Sequence, residues 1–331
     1  MAERSHGGGA PARARAADRY APRPLPAQRR RGMDLGTAFA LVLGVLAFAL
    51  AGIVAVAALL TDSDQRTTAG PGRFGEPSGL ATPEDGRPPG TRPSGQRALT
   101  DNPLYTAGPL PTSVCEPPEL AIHDEASMTA FLHATTDCLD ATWAAEFADT
   151  GMPFGAPERV FWTVPGRSPC GDYPLNGSAA FYCAANKGLY IGVDDVVHNS
   201  AGAEQPVVYG SLIGHEYAHH VQMEAGILGY MHDRRRRADG AAEAHTWTRR
   251  SELQANCLSG VFLGSVADSF PVGEEQRAAA LADAYARGDG SASAERTHGT
   301  PENARDWLAR GLAESDPGAC DTWSAAEASV R

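Results

Sequence analysis

Lysine is nearly missing from this chain: one, Lys187, stands against twenty-seven arginines in 331 residues, the bias of a GC-rich coding sequence. No Cys-x-x-Cys pair occurs, which sets aside zinc ligation by cysteine. Basic charge is scarce after residue 33. The first 33 residues hold eight arginines against Glu3 and Asp18, a balance of +6, while the whole chain is −12, so the remainder carries −18. That acidity speaks against nucleic acid as a partner, because phosphate binding needs clustered basic charge. Arg234 to Arg237 is the one basic run, between Asp233 and Asp239. It is expected to be a solvated loop patch, with docking of an acidic partner as the alternative.

Charge of either sign is absent from Leu35 to Leu60, twenty-six residues in a row. A helix needs about 20 such residues to cross a bilayer, whereas the apolar part of a cleaved signal peptide is roughly 7 to 15 residues. The expectation is one transmembrane helix at 34–60, with cleavage after the Ala55–Ala57 A-x-A as the minor alternative. The arginines ahead of it place the N-terminus in the cytoplasm and the rest of the chain outside, as a single-pass protein of the cell membrane.

All six cysteines, at 115, 138, 170, 183, 257 and 320, lie beyond this run. An even number on the oxidising side reads as three disulfides. Among the fifteen connectivities, pairing of neighbours is attractive: Cys170 and Cys183 flank a turn-rich segment, and Cys115 and Cys138 flank a helix.

Composition divides the chain into a basic tail at 1–33, the membrane helix at 34–60, a Pro/Gly-rich linker at 61–100, a folded domain at 101–323 and a tail at 324–331. Within the domain, apolar spacing predicts a helix over 125–147. Strands follow at 158–164, 179–183 and 188–194, the last two as a hairpin. Helical patterns then run from Pro206, from Ser251, through EEQRAAALADAYARG and from Pro301. A small sheet followed by helices is an α+β arrangement.

The chain has ten histidines, and three fall in GHEYAHHVQ, residues 214–222. On a helix, positions i and i+4 share a face, so His215 and His219 can point two imidazoles at one Zn2+. Glu216 borders the same site, where a carboxylate can take a proton from a zinc-activated water and pass it to a leaving amine. This is the HExxH arrangement of zinc peptidases. His220 lies about 100° further round the helix and is expected to pack or support rather than to ligate.

A catalytic zinc needs a third protein ligand. The long HExxHxxGxxH form fails, because Gln222 and Ala225 stand where Gly and His are needed. Glu252 fits best, since it lies in SELQANCLSGVFLGSV, where an unpaired carboxylate facing an apolar core would be costly. Asn256, one turn on, could hydrogen-bond a ligand. Glu243, placed in a polar loop, and Glu224, displaced from the ligand face, are the rivals. For the oxyanion of the transition state, the candidate donor is His298 in the THGT turn, with His245 and Tyr230 as substitutes.

GHEYAHHVQ, SELQANCLSGVFLG about thirty residues on, THGTPENARDWLARGL and ACDTW together resemble the neutral zinc metallopeptidase family of bacterial membrane-anchored proteins. The resemblance spans about residues 101–323. It implies a zincin-like domain with His215, His219 and Glu252 as zinc ligands and Glu216 as general base. Two positions depart from the family pattern: Ala218 stands where Gly is favoured, and Asn256 where ELQADC has Asp. The expected function is a membrane-anchored zinc endopeptidase acting on protein or peptide substrates. A noncatalytic zinc-binding protein that docks envelope partners is the alternative of a different class, and hydrolysis of a cell-wall peptide link is a third.

Overall fold

The computed structural model describes residues 91–174, 178–290 and 295–331, all within the unit Ala81–Arg331. The membrane helix expected at 34–60 lies outside the described residues. Among the described residues no helix is long and apolar enough to cross a membrane.

The helices are α1 (Arg97–Thr100), α2 (Glu125–Asp149), α3 (Val193–Asn199), α4 (Pro206–Glu224), α5 (Ile227–Arg236), α6 (Ala241–Ser265), α7 (Glu274–Arg287) and α8 (Pro301–Glu314). The strands are β1 (Glu158–Trp162), β2 (Gly166–Ser168), β3 (Gly171–Tyr173), β4 (Ala180–Cys183) and β5 (Gly188–Gly192). Local chemistry sets several starts. Asp124 caps α2 through the Ser127 amide at 2.6 Å, Pro206 and Pro301 open α4 and α8, and Thr300 accepts from the Asn303 amide at 3.2 Å.

β5 is the centre of a three-stranded sheet in the order β1-β5-β4. It runs parallel to β1 and antiparallel to β4, with Ala180 opposite Ile191, so the expected hairpin is present. Every residue of β5 is buried, as a central strand covered by helices requires. The mixture of a small sheet and helices is α+β.

The core lies between α2, α4 and α6. Phe131 and Trp143 from α2, Tyr209 and Tyr217 from α4, Phe262 from α6 and Phe270 beyond it are all fully buried. Helix α4 is buried on most of its circumference, which explains the apolar residues around the histidines. Helices α6 and α8 approach until their backbones touch. A Cβ on Gly311 would lie 2.0 Å from the Cys257 carbonyl oxygen, and one on Gly260 2.4 Å from that of Leu308. The Cys257–Cys320 disulfide ties the segment after α8 to the same turn of α6, and Cys115–Cys138 and Cys170–Cys183 complete the pairing of all six cysteines.

Several expectations are corrected. The helix carrying Glu252 starts at Ala241, not at Ser251, so Glu243 is a helical residue of the first turn and Glu252 lies deep in the helix. Ordered packing begins before residue 101: Ala98 and Leu99 of α1 are buried, and Arg92 pairs with the buried carboxylate of Glu224. Residues 324–331 are not a loose tail. Val330 is buried, its carbonyl accepts from Arg249 Nε at 2.6 Å, and Trp307 Nε1 donates to the Ser329 carbonyl at 2.7 Å. Arg234–Arg236 form the last turn of α5 rather than a loop, where cations face the negative end of the helix dipole.

Two stability effects are predicted from this packing. Gly311→Ala forces a methyl into backbone atoms of α6 and should destabilise by about 1–3 kcal/mol or more. Gly229→Ala in α5, where a Cβ meets nothing within 4 Å, should be neutral or mildly stabilising. Denaturant midpoints check the pair, and equal midpoints for both variants contradict the close helix contact.

The second effect concerns Glu146 of α2. Burial, together with Asp149 and Asp316 nearby, raises its pKa to about 7 from the usual 4.5. A carboxyl whose folded pKa is raised favours folding fully below its unfolded pKa and loses that contribution as pH rises through the folded value. Stability should therefore fall between about pH 4.5 and 7, and Glu146→Gln should flatten that fall. Thermal midpoints of both proteins across this range give the answer, and parallel curves would remove Glu146 as the cause.

Candidate metal centre

Glu216 and the histidines of the motif sit in the third and fourth turns of α4, and α6 crosses that helix with Glu252 facing them. Ligand atoms of His215, His219 and Glu252 all lie within 4.8 Å of one another. Glu252 Oε2 is 3.1 Å from His215 Nε2 and 3.4 Å from His219 Nε2. The three side chains are only 13, 12 and 18 % exposed.

The other ring nitrogen of each histidine is held by an amide. His215 Nδ1 is 2.8 Å from Asn256 Oδ1, and His219 Nδ1 is 3.0 Å from Gln222 Oε1. Gln222 has no freedom to turn over: its Nε2 donates to the Ser251 carbonyl at 2.9 Å and to Gln254 Oε1 at 3.0 Å. Gln222 therefore accepts from His219 Nδ1, Asn256 Oδ1 stands against His215 Nδ1, and the Nε2 of both rings lies on the Glu252 side. Two imidazole Nε2 atoms and one carboxylate, backed by hydrogen bonds on the far side of each ring, are the donor set of His₂Glu zinc sites. These residues fit such an ion.

Electrostatics agrees with the geometry. Burial works against a charged His219, but the Glu252 carboxylate outweighs it and lifts the imidazolium pKa to about 9. Burial likewise opposes a charged Glu252, yet the two histidines hold its carboxyl well below the usual range. His232 of α5 stays neutral, since burial and then Arg235 push its pKa down to about 4.

Two hydrogen-bonded contacts fix α6 against α4 on either side of the ligands. Ser259 Oγ donates to the Ser211 carbonyl at 2.8 Å, and the Gln222 amide reaches Ser251. At the first contact Gly214 lets the helices close, because a Cβ there would lie 2.7 Å from Ser259 Oγ.

His215, Glu216 and Asn256 open onto a cleft of about 330 Å³. Ser178 to Ala180 at the start of β4, Arg287 and His298 line the same cleft. The structure therefore brings His298 to the cleft that holds Glu216. Its ring is half exposed, Nδ1 is 3.1 Å from Thr297 Oγ1, and its backbone amide donates to Asp289 Oδ2 at 2.7 Å. Tyr230 is not in this cleft: its ring stacks edge-on against Trp247 elsewhere.

The remaining candidates have other partners. His220 is fully buried, with Nε2 2.6 Å from the Gly155 carbonyl and Nδ1 3.1 Å from the Tyr182 hydroxyl, so it packs α4 against β4. Glu224 is buried and paired with Arg92 and, at 2.6 Å, with Lys187, the chain's single lysine. Glu243 caps its own helix, accepting from the Asp239 amide at 2.9 Å and from Trp247 Nε1 at 3.3 Å. Sequence reasoning did not find Gln222. Its signal was there, as a buried-face amide three residues after the second histidine of the motif.

The family described as "Putative neutral zinc metallopeptidase" matches residues 111–323, and this chain belongs to it. Among its relatives is the uncharacterized protein YpfJ of Escherichia coli K12, 30 % identical over 212 residues, which are 60 % of this chain and 72 % of YpfJ. Another is the uncharacterized protein Rv2575 of Mycobacterium tuberculosis, 30 % identical over 217 residues, covering 59 % of this chain and 70 % of that one. No solved structure matches.

The amides behind the histidines lead to a prediction in two directions. Gln222→Leu removes the acceptor of His219 and should weaken zinc binding by about 10- to 100-fold. Asn256→Asp gives His215 a charged acceptor and should tighten it. Competition with a chromophoric chelator measures both, and unchanged affinity in the two variants would show that the amides do not orient the rings.

Proposed function

We propose that this chain is a zinc-dependent endopeptidase, anchored in the membrane through residues 34–60 with its catalytic domain on the outer side. The observation that carries the reading is the convergence of His215, His219 and Glu252 within 4.8 Å beside a cleft that also holds Glu216. Family membership supports peptidase chemistry, and three disulfides suit an oxidising compartment.

His215, His219 and Glu252 would hold the zinc ion. Bound there, zinc supplies Lewis-acid polarisation of a carbonyl and lowers the pKa of a water molecule. The chain's own residues do the rest. Glu216 is the carboxylate on the cleft side of the ligand helix, not bound up in any of the ligand hydrogen bonds. It takes a proton at its carboxylate and delivers it to the departing amine nitrogen. His298, with Nδ1 against Thr297 Oγ1, keeps Nε2 for donation towards the oxygen on which charge develops. β4 has β5 as its one sheet neighbour among the described residues, and its start borders the cleft. An extended peptide can lie along such an edge by main-chain hydrogen bonding.

Glu216→Gln keeps the shape of the side chain and removes the proton acceptor. The variant should fold, bind zinc as the parent does, and cleave peptides about 10²- to 10⁴-fold more slowly. Zinc content, thermal midpoint and turnover on a peptide the parent cuts are the measurements. Equal turnover takes Glu216 out of the mechanism, and a zinc-loaded parent that cuts no peptide sinks the peptidase reading.

A further inference from the structure

A second cavity, of about 610 Å³, lies away from the metal cleft, between α1, α5, the first half of α6 and the segment after the last disulfide. Three aromatic rings wall it. Trp247 and Trp323 have centroids 6.0 Å apart, and Tyr230 stands nearly perpendicular to Trp247 at 6.4 Å. Leu99 adds an apolar side.

Most polar groups around this cavity are already committed. Trp247 Nε1 donates to Glu243 and Trp323 Nε1 to Gln254, each at 3.3 Å. Arg250 donates to the carbonyls of Thr322, Trp323 and Ala325. Asp321 accepts from the Trp323 and Ser324 amides and from the Ser324 hydroxyl.

Arg234 is the cation that makes no hydrogen bond or ion pair among the described residues, although its charge acts on Glu243 across the cavity. Its guanidinium lies 5.3 Å over the Trp247 ring, and its Nε is closed off from solvent with no hydrogen-bond partner among the described residues. The nearest carboxylate in its own helix, Asp233, is taken by Arg236 and Arg237. The terminal nitrogens of Arg234, without hydrogen-bond partners among the described residues, are the donors an occupant of the cavity can reach. A guanidinium stacked on an indole is a weakly hydrated fork that matches a carboxylate.

The occupant that fits is an apolar body bearing one carboxylate. A neutral sugar would need many hydrogen-bonding groups, and beyond Arg234 only the Gln96 amide and the Tyr230 hydroxyl are uncommitted on these walls. A polyanion would meet Glu243 and Asp321 on the same walls. The cavity is roomy enough for a few residues, within the roughly 300–1,000 Å³ range of ligand sites. We propose that this aromatic cleft binds the C-terminal end of a peptide, its carboxylate on Arg234 and an aromatic or large aliphatic side chain among Tyr230, Trp247 and Trp323. The proposal is independent of the metal centre and of any catalysis there.

The test is calorimetric titration of the full chain with N-acetyl-Ala-Ala-Phe and with its C-terminal amide. The acid should bind saturably and at least about tenfold tighter than the amide. Arg234→Met should abolish the difference, Arg234→Lys should leave part of it, and Trp247→Leu should weaken acid and amide alike. His219→Ala should leave all of this unchanged, which separates the cleft from a carboxylate landing on the metal. Acid and amide binding alike, loss of binding in His219→Ala, or tighter binding of free phenylalanine than of the acetylated peptide would each overturn the proposal. So would binding of N-acetylglucosamine oligomers that depends on Trp247 and not on Arg234.

Discussion

The contact between α4 and α6 is the constraint on which the rest of the molecule depends. One carboxylate on α6 faces two imidazoles on α4, at 3.1 and 3.4 Å, in a place that is almost dry. Such a group of polar side chains survives burial only if each atom has a partner and the helices cannot slide. Both conditions are met by neighbours in the same two helices: the Ser259–Ser211 and Gln222–Ser251 hydrogen bonds pin the crossing on either side. Gly214 removes the side chain that would hold the helices apart at the first of these. Helix α8 then locks α6 from behind through Gly260 and Gly311, and the Cys257–Cys320 disulfide closes the same turn. The start of β4 lines the cleft that His215 and Glu216 open onto.

Much of this could be read from residues alone, and the failures have physical causes. The i, i+4 histidines show themselves because helix geometry converts a spacing into a shared face. Glu252 shows itself because a carboxylate in an apolar helix needs a partner. The sequence reading starts that helix ten residues late, because Ala241 to Arg250 has Trp247 as its one large apolar residue among alanines and polar or charged side chains. That half runs along the surface under the C-terminal segment, where helix formation leaves no apolar stripe to detect. The same segment reads as a tail because SAAEASVR has almost nothing to bury. What holds it is main-chain chemistry: Arg249, Asn303 and Trp307 all donate to its carbonyls. Carbonyl acceptors carry no sequence signature. The basic segment ahead of residue 101 was missed for a related reason, as Arg92 matters only once Glu224, far along the chain, is known to be buried.

Charge outside the site follows a similar economy. Glu224 ends the motif helix facing inwards, where an ionised carboxylate without partners would not be tolerated. Arg92 and Lys187 reach it from two distant parts of the chain, so the one lysine in an arginine-rich protein is a structural residue. His220 adds a third tie at the same end of α4, joining it to the Gly155 turn and to Tyr182 of β4. Three polar contacts therefore set where the motif helix stands against the sheet, and with it the width of the cleft.

The supports of His215 and His219 come from different places, and this bears on how the site is made. Asn256 belongs to α6 and holds His215, whereas Gln222 belongs to α4 and holds His219 while being held by α6. Neither imidazole needs a cation to choose its rotamer. The orientation is set when the helices dock, so the cost of collecting three ligands falls on folding rather than on metal binding. Small metal-stapled domains work the other way, with the ion doing the folding. Here the aromatic core and three disulfides do that work, which leaves the donor atoms shaped in advance for an ion and the cleft side of the site free for chemistry.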